Sequence, residues 1–124
     1  MEAFNNVMLK DSLDLYKKMF DEAAYFSIDK NENAQKAFAP QKIEDVMAKV
    51  IQDFTALNTQ EGGNPLLPPA ADGTPSKVNK VSVINHKWLI LDYYNDRYTG
   101  ELLIRYEYNP GETTTFRVID SVVY

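Results

Sequence analysis

Cysteine is absent from this chain of 124 residues, and histidine and tryptophan occur once each. Without cysteine there are no disulfides, no thiol nucleophile and no thiolate-ligated zinc. One histidine, His86, cannot build a usual histidine-rich metal site, and no group of acids has the spacing of a calcium-binding EF-hand. The sequence therefore predicts a protein with no metal site and no cofactor.

Long hydrophobic runs and an excess of basic residues are also missing. The N-terminal stretch "MEAFNNVMLKDSLDLYKKMF" lacks the unbroken apolar region of a signal peptide, and no segment approaches the ~20 apolar residues that span a bilayer. We expect a soluble protein, cytoplasmic or otherwise. With 13 basic and 18 acidic residues the net charge is −5, so nonspecific binding to nucleic acid or to anionic membranes is disfavoured.

Motifs that carry common catalytic chemistry do not occur. The chain has no phosphate-binding GxxxxGK[ST], no GxGxxG after a predicted strand, no GxSxG and no HExxH. His86 is separated from Asp92 by about 20 Å of extended strand, so the two cannot form a dyad within one strand. We predict no catalytic residues and favour a function that is not enzymatic.

Two segments of the N-terminal half have the 3.6-residue period of amphipathic helices. The first runs from Phe4 to Phe26, where apolar residues cover roughly half of the helical circumference. The second follows Pro40 and ends near Asn58. Its apolar residues have the i, i+3, i+4, i+7 spacing and are Ile43, Val46, Met47, Val50, Ile51, Phe54 and Leu57.

The pattern changes after the second helix. Residues 59–76, "TQEGGNPLLPPAADGTPS", contain three glycines and four prolines, which predict a long loop that Leu66 and Leu67 attach to the body. From residue 77 onward the period is 2, as in strands. We therefore predict a single domain over residues 1–124, with a helical part (1–58), a Pro/Gly-rich loop (59–76) and an antiparallel sheet (77–124).

Four strands are indicated by "VNKVSVI", "KWLILDYY", "RYTGELLIRYEY" and "TTFRVIDSVVY". They are rich in β-branched and aromatic residues and are separated by "NH", "ND" and "NPGE", which predict tight turns and a four-stranded meander. The fold class is α+β, with two N-terminal amphipathic helices followed by the sheet. In outline this arrangement resembles cystatin-like and NTF2-like domains, which include enzymes, binding proteins and assembly subunits.

The predicted turns determine which residues of neighbouring strands lie opposite each other, and this register assigns each side chain to one of the two faces of the sheet. The core face, which the helices are expected to cover, collects residues such as Leu91 and Val122. On the opposite face Arg105 lies beside Arg117. The apolar members predicted for that opposite face are Val81 beside Ile90, Val83 beside Trp88, and Leu103, Ile119 and Val123. An antiparallel sheet normally has a polar solvent face, so a second apolar face requires a cover. Either one helix packs on each face, or both helices share one face and a partner or a second copy covers the other.

This second face leads to the first functional hypothesis, a protein-binding or assembly subunit. It would belong to a bacterial or phage multiprotein complex or act as an immunity-type inhibitor, with another protein or a second copy as partner. The candidate partner-binding residues are Trp88, Ile90, Tyr94, Leu103, Arg105 and Arg117, because Trp, Tyr and Arg dominate interface energetics. The same arginines with Trp88 could form a nucleic-acid platform, but the acidic total charge and the missing RNP motif argue against it.

The alternative hypothesis is a small-ligand site or a weak acid/base enzyme, with a pocket between the sheet and the first helix. Its candidate ligand-binding residues are Asp92, Tyr94, Asp96 and Arg97, since a carboxylate with nearby tyrosine hydroxyls can bind a polar ligand. A simpler interpretation is that Asp96 belongs to a tight turn and that Tyr94 stacks on Arg97 across it.

Overall fold

The computed structural model describes residues 13–20, 22 and 24–124. Residues 13–20, 22, 24 and 25 are helical and form what we call the N-terminal helical segment. The elements that follow are a 3-10 turn (Ile28–Lys30), α1 (Glu32–Lys36), α2 (Ile43–Leu57), β1 (Lys77–Val83), β2 (Trp88–Tyr94), β3 (Thr99–Glu107) and β4 (Thr115–Val123). The strands form one antiparallel sheet in the order β1-β2-β3-β4. The predicted α+β class is confirmed.

Burial alternates along β2 and β3 and so distinguishes the two faces of the sheet. The buried residues of these strands define the inner face, which consists of Leu89, Leu91, Tyr93, Gly100, Leu102, Ile104 and Tyr106. The other side is the outer face, to which these strands contribute Trp88, Ile90, Asp92, Tyr94, Glu101, Leu103 and Arg105.

Helix α2 covers the inner face as predicted. Val46, Val50 and Phe54 recur at a spacing of four residues, lie on one side of the helix and are 0–2% exposed within the core. The Phe54 ring lies 5.5 Å from that of Phe116 in β4, in an edge-to-face arrangement. The helix ends before Asn58, where its end was predicted.

The N-terminal helical segment is not buried against either face. All five apolar residues at positions 13–20 are between 55% and 72% exposed. The inner face is covered by α2 together with Phe38 and Leu67. The expectation that both helices cover the sheet is therefore wrong for this segment. The rest of the predicted first helix, residues 4–12, 21 and 23, lies outside the described residues.

The loop between α2 and β1 follows the surface of the body. Leu67 and Ala70 are buried, and Leu66 packs against the core, as the two leucines predict. The loop is also fixed by hydrogen bonds to its backbone carbonyls: the hydroxyl of Tyr98 donates to the carbonyl of Pro69 at 3.1 Å. A loop without regular structure thus completes the cover of the core.

The turn of the first hairpin is one residue longer than predicted. Val83 lies opposite Leu89 instead of Trp88, and Val81 shifts with it, so both valines point to the inner face. A two-residue hairpin of the favoured type requires positive φ at both central positions, and no described residue other than glycine has positive φ. Instead, the side-chain oxygen of Asn85 accepts hydrogen bonds from the backbone N–H groups two and three residues ahead, closing a longer turn.

The second hairpin keeps the predicted faces but is shifted by two residues. Tyr94 lies opposite Thr99, whereas the prediction placed Arg97 there. The backbone N–H of Asn95 donates to the carbonyl of Tyr98 at 3.0 Å and closes the turn. Because strand side chains alternate with a period of two, this shift changes the neighbours but not the faces.

The third hairpin has the predicted register up to a bulge. Arg105 lies opposite Arg117 as predicted, and Ile119 is then an extra residue in β4 without a partner in β3. The bulge moves Val122 to the outer face and Val123 to the inner side, the reverse of the prediction. A bulge of this kind exchanges the faces of all residues beyond it.

Gly100 in β3 allows the close packing of β4 and of a core tyrosine. A Cβ atom at this position would lie 2.5 Å from the hydroxyl of Tyr93 and 2.7 Å from the backbone oxygen of Val122. Gly100→Ala is therefore expected to lower the free energy of unfolding by about 1–3 kcal/mol, as overpacking does. Urea unfolding followed by circular dichroism measures it, with Thr99→Ala, an exposed neighbour in the same strand, as control. Equal stability of both variants would contradict the close contact.

Candidate functional site

The outer face presents large apolar side chains to solvent. Trp88, Ile90 and Tyr94 are 42%, 37% and 45% exposed, and Leu103 beside them is half-buried. The face is less apolar than predicted, because β1 contributes Lys80, opposite Asp92, and Ser82, opposite Ile90, to it and not Val81 and Val83.

Antiparallel pairing arranges the outer face in rows that cross the strands, about 7 Å apart because they are two residues apart. We name three of them: the basic row is Trp88, Arg105 and Arg117, the central row is Ser82, Ile90, Leu103 and Asp120, and the acidic row is Lys80, Asp92, Glu101 and Val122. Two arginines thus lie in the basic row and two acids in the acidic row, where Lys80 is directly opposite Asp92, and the central row holds a further acid, Asp120.

The basic row holds more positive charge than its surroundings neutralise. Arg105 and Arg117 are direct neighbours, and a like-charged pair in this position is unfavourable. The nearest carboxylate is that of Glu107, whose Oε1 lies 3.8 Å from Nη2 of Arg105. Lys87 lines the same shallow depression as the two arginines and Trp88. This row can bind a carboxylate or another anion.

The acidic row is the counterpart, about 13 Å away along the strands. Asp92 and Glu101 are direct neighbours, and neither carboxylate forms an ion pair within the part of the chain that the structure describes. Asn79 donates a hydrogen bond to Asp92 at 3.3 Å. A hydrogen bond to Glu101 raises the pKa of Tyr124 above its ordinary value. This row can bind a guanidinium or ammonium group.

All six candidate partner-binding residues lie on the outer face. Trp88, Arg105 and Arg117 form the basic row, Ile90 and Leu103 belong to the central row, and Tyr94 lies beyond the acidic row. The structure thus brings together residues from three strands on one surface. Their role in binding remains a prediction.

The four candidate ligand-binding residues are more dispersed. Asp92 lies in the acidic row, and Asp96 and Arg97 lie in the exposed turn that follows β2. Tyr94 and Asp96 line one depression together with Lys77 and the end of the preceding loop. The pocket was predicted between the sheet and the first helix, and part of that helix lies outside the described residues. The small-ligand hypothesis therefore stays a prediction.

His86 lies in the turn between β1 and β2, as predicted. It is half-buried and lines a depression with Phe38, Tyr106 and Tyr108. Its Nδ1 atom is buried and has no hydrogen-bond partner among the described residues.

Sequence reasoning missed Asp120 as a member of the outer face. In a regular strand Asp120 has the same parity as Phe116 and Val118, so it would point into the core. An acid at a core position of an otherwise apolar strand is unfavourable, and this conflict is the signal that could have indicated the bulge at Ile119. The bulge turns Asp120 outward, opposite Leu103.

Comparisons of the chain with protein-family models, with curated protein sequences and with solved structures find no match. Within the described ranges, no three or more His, Asp or Glu residues are grouped so that they could hold a metal ion. None of the helices described is long and apolar enough to cross a membrane.

Proposed function

We propose that this chain is a non-enzymatic subunit that binds another protein through the outer face of its sheet. The observation that carries the proposal is the composition of that face, where an exposed tryptophan lies beside two neighbouring arginines and a row of apolar residues. Residues of these types contribute most of the binding energy at protein interfaces when a partner excludes water from them.

The basic and acidic rows support the same proposal. An interface usually has an apolar centre surrounded by polar groups that select the partner and its orientation. Here Ile90 and Leu103 lie between the two charged rows. Such a surface suits a subunit of a bacterial or phage assembly or an inhibitor of the immunity type. The resemblance in outline to cystatin-like and NTF2-like domains agrees with this proposal.

Site-specific photocrosslinking tests the proposal in the cells that naturally make the protein. A photoreactive amino acid in place of Ile90 is expected to give a covalent adduct with one protein, seen as a discrete shift in mass on a gel and identified by mass spectrometry. The same amino acid in place of Gln52, an exposed residue of α2, is the matched control and is expected to give none. The proposal is overturned if Ile90 gives no protein adduct, or only the adducts that Gln52 also gives.

A further inference from the structure

We infer that Asp120 blocks the free edge of β4 and thereby prevents the sheets of several copies of this chain from joining edge to edge. The inference concerns an edge of the sheet and does not depend on which protein binds the outer face. It rests on the exposure of β4, on the bulge within this strand and on the hydrogen bond that the carboxylate of Asp120 accepts.

Strand β4 has the composition of an edge that associates with other chains. Within the described residues the sheet ends at β4, which is nine residues long. Residues 118–124, "VIDSVVY", are rich in β-branched side chains and contain one charge and no proline. Segments of this kind pair readily with strands of other chains when their edge is free. The apolar residues of the segment are 37–70% exposed and are Val118, Ile119, Val122, Val123 and Tyr124.

The ladder to β3 determines which backbone groups beyond the bulge point to the free edge. The N–H of Tyr124 donates to the carbonyl of Thr99 in β3 at 2.9 Å. Backbone groups of successive strand residues point alternately to one neighbouring strand and to the other. The N–H groups of Ser121 and Val123 therefore point away from β3, towards the position that a fifth strand would occupy.

The bulge interrupts this row of free N–H groups. The N–H of Tyr106 donates to a carbonyl of β2, so the backbone groups of its neighbour Arg105 point to β4. Arg117 lies opposite Arg105 and points back to β3, which leaves the N–H of Val118 on the free edge. The next free N–H is that of Ser121, three residues further on, whereas a regular strand repeats every two. A regular incoming strand would match only one side of this break.

Asp120 occupies the free edge at the break. Its Oδ1 atom accepts a hydrogen bond from the backbone N–H of Ser121 at 2.8 Å, and this is the donor that an incoming strand would need. Asp120 is exposed and forms no ion pair within the part of the chain that the structure describes. A strand that pairs here must displace the carboxylate from this N–H and remove part of its hydration, and both changes are unfavourable.

Pairing with β4 of a second copy does not avoid this cost. In the antiparallel register that would place Arg117 of one copy opposite Asp120 of the other, Val118 lies opposite Ile119. The bulges of the two copies then coincide at the centre of the new ladder. Each bulge leaves a residue without a partner and distorts the strand, so the ladder is broken where the two strands should first pair.

The opposite edge of the sheet is protected in a similar way. Strand β1 has a register shift at Asn79 and carries Lys77 and Lys80, which are exposed. Lysines and bulges on edge strands are common means by which sheets avoid association. On β4 beyond its bulge, Asp120 is the one charged residue and takes this role.

Thioflavin T fluorescence and light scattering of the purified full chain, at about 100 μM, test the inference. Asp120→Val removes the charge and the acceptor and is expected to assemble at least about tenfold faster than the wild type. Asp120→Lys keeps a charge at the edge, and its rate should stay within about threefold of the wild type. Since one charge is lost in the first variant and reversed in the second, the net charge changes from −5 to −4 and −3. Net charge alone would therefore make Asp120→Lys the faster of the two.

Two further variants locate the association. Asp92→Val makes the same change on β2, a central strand, and is expected to behave like the wild type. Val123→Pro, added to Asp120→Val, removes an N–H that points to the free edge and leaves the ladder to β3 intact. The double variant is expected to assemble as slowly as the wild type. Circular dichroism establishes that every variant is folded before assembly begins.

The inference is overturned if Asp120→Val assembles no faster than the wild type, or if Asp120→Lys assembles as fast as Asp120→Val. Equal rates for Asp92→Val and Asp120→Val also overturn it, because the association would then arise from the outer face. A double variant with Val123→Pro that assembles as fast as Asp120→Val shows that the free edge of β4 is not the site of association, and the inference fails.

Discussion

Phe54→Ala is expected to lower the free energy of unfolding by about 3–5 kcal/mol, the cost of removing a fully buried aromatic ring. Phe54 is 2% exposed, and its ring contacts that of Phe116 where α2 crosses the sheet. The loss leaves a cavity between helix and strand that the rigid sheet cannot close. Urea unfolding followed by far-ultraviolet circular dichroism measures the change in free energy.

Trp88→Ala is the matched variant on the other face. Trp88 is 42% exposed, so its loss is expected to cost at most about 1 kcal/mol in the monomer. Both variants are compared at the same protein concentration. If Trp88→Ala is as destabilising as Phe54→Ala, Trp88 is a core residue and the outer face is not a free surface.

The burial of α2 against the inner face could be predicted, because the helical period of its apolar residues is enough to indicate it. The apolar residues of α2 recur every three or four positions, a pattern that predicts the burial of that side of the helix. Val46, Val50 and Phe54 are therefore buried whatever the details of the loops. The alternating burial of β2 has the same origin, since Leu89, Leu91 and other residues two apart share a face.

The register of the first hairpin could not be predicted from this pattern. Val81 and Val83 fit either face equally well by hydrophobicity, and the turn decides between them. The turn depends on two hydrogen bonds from the backbone to the side chain of Asn85, and their energy is small beside that of the whole strand. A change of one residue in turn length exchanges the faces of β1.

The length of the first turn and the bulge in β4 changed which residues belong to the outer face. The sequence indicated an outer face made apolar by Val81 and Val83, and this was wrong. The longer first turn replaces them with Lys80 and Ser82, and the bulge at Ile119 adds an acid. The six candidate residues share the predicted face, but Lys80, Ser82 and Asp120 join it only in the true register.

Contacts distant in the chain were also beyond prediction, and Asp53 is the clearest case. It lies on α2, one residue before Phe54, and its carboxylate accepts hydrogen bonds from the backbone N–H of Thr114 at 2.8 Å and from Lys49 at 2.9 Å. Sequence spacing suggests the pair with Lys49, four residues away. Nothing in the sequence indicates the bond to Thr114, which joins α2 to the start of β4.

This bond makes the stability of the fold depend on pH. Burial by itself would raise the pKa of the Asp53 carboxyl, but the hydrogen bonds from Thr114 and Lys49 outweigh it and hold the pKa below the ordinary value of 3.8. A carboxyl whose pKa is lower in the folded chain than in the unfolded chain stabilises the fold above the unfolded pKa. That stabilisation is lost as the pH falls through the folded pKa.

Asp53→Ala is accordingly expected to lower the free energy of unfolding by about 2–3 kcal/mol at neutral pH, because it leaves the N–H of Thr114 without its partner. Asp45→Ala, an exposed change on the same helix, is the control and should cost at most about 1 kcal/mol. Unfolding free energies measured from neutral pH downward should show the difference between wild type and Asp53→Ala constant above the unfolded pKa and shrinking below 3.8. A difference that is independent of pH throughout this range would mean that the ionised carboxylate does not hold α2 to β4, and the loss would then reflect packing alone.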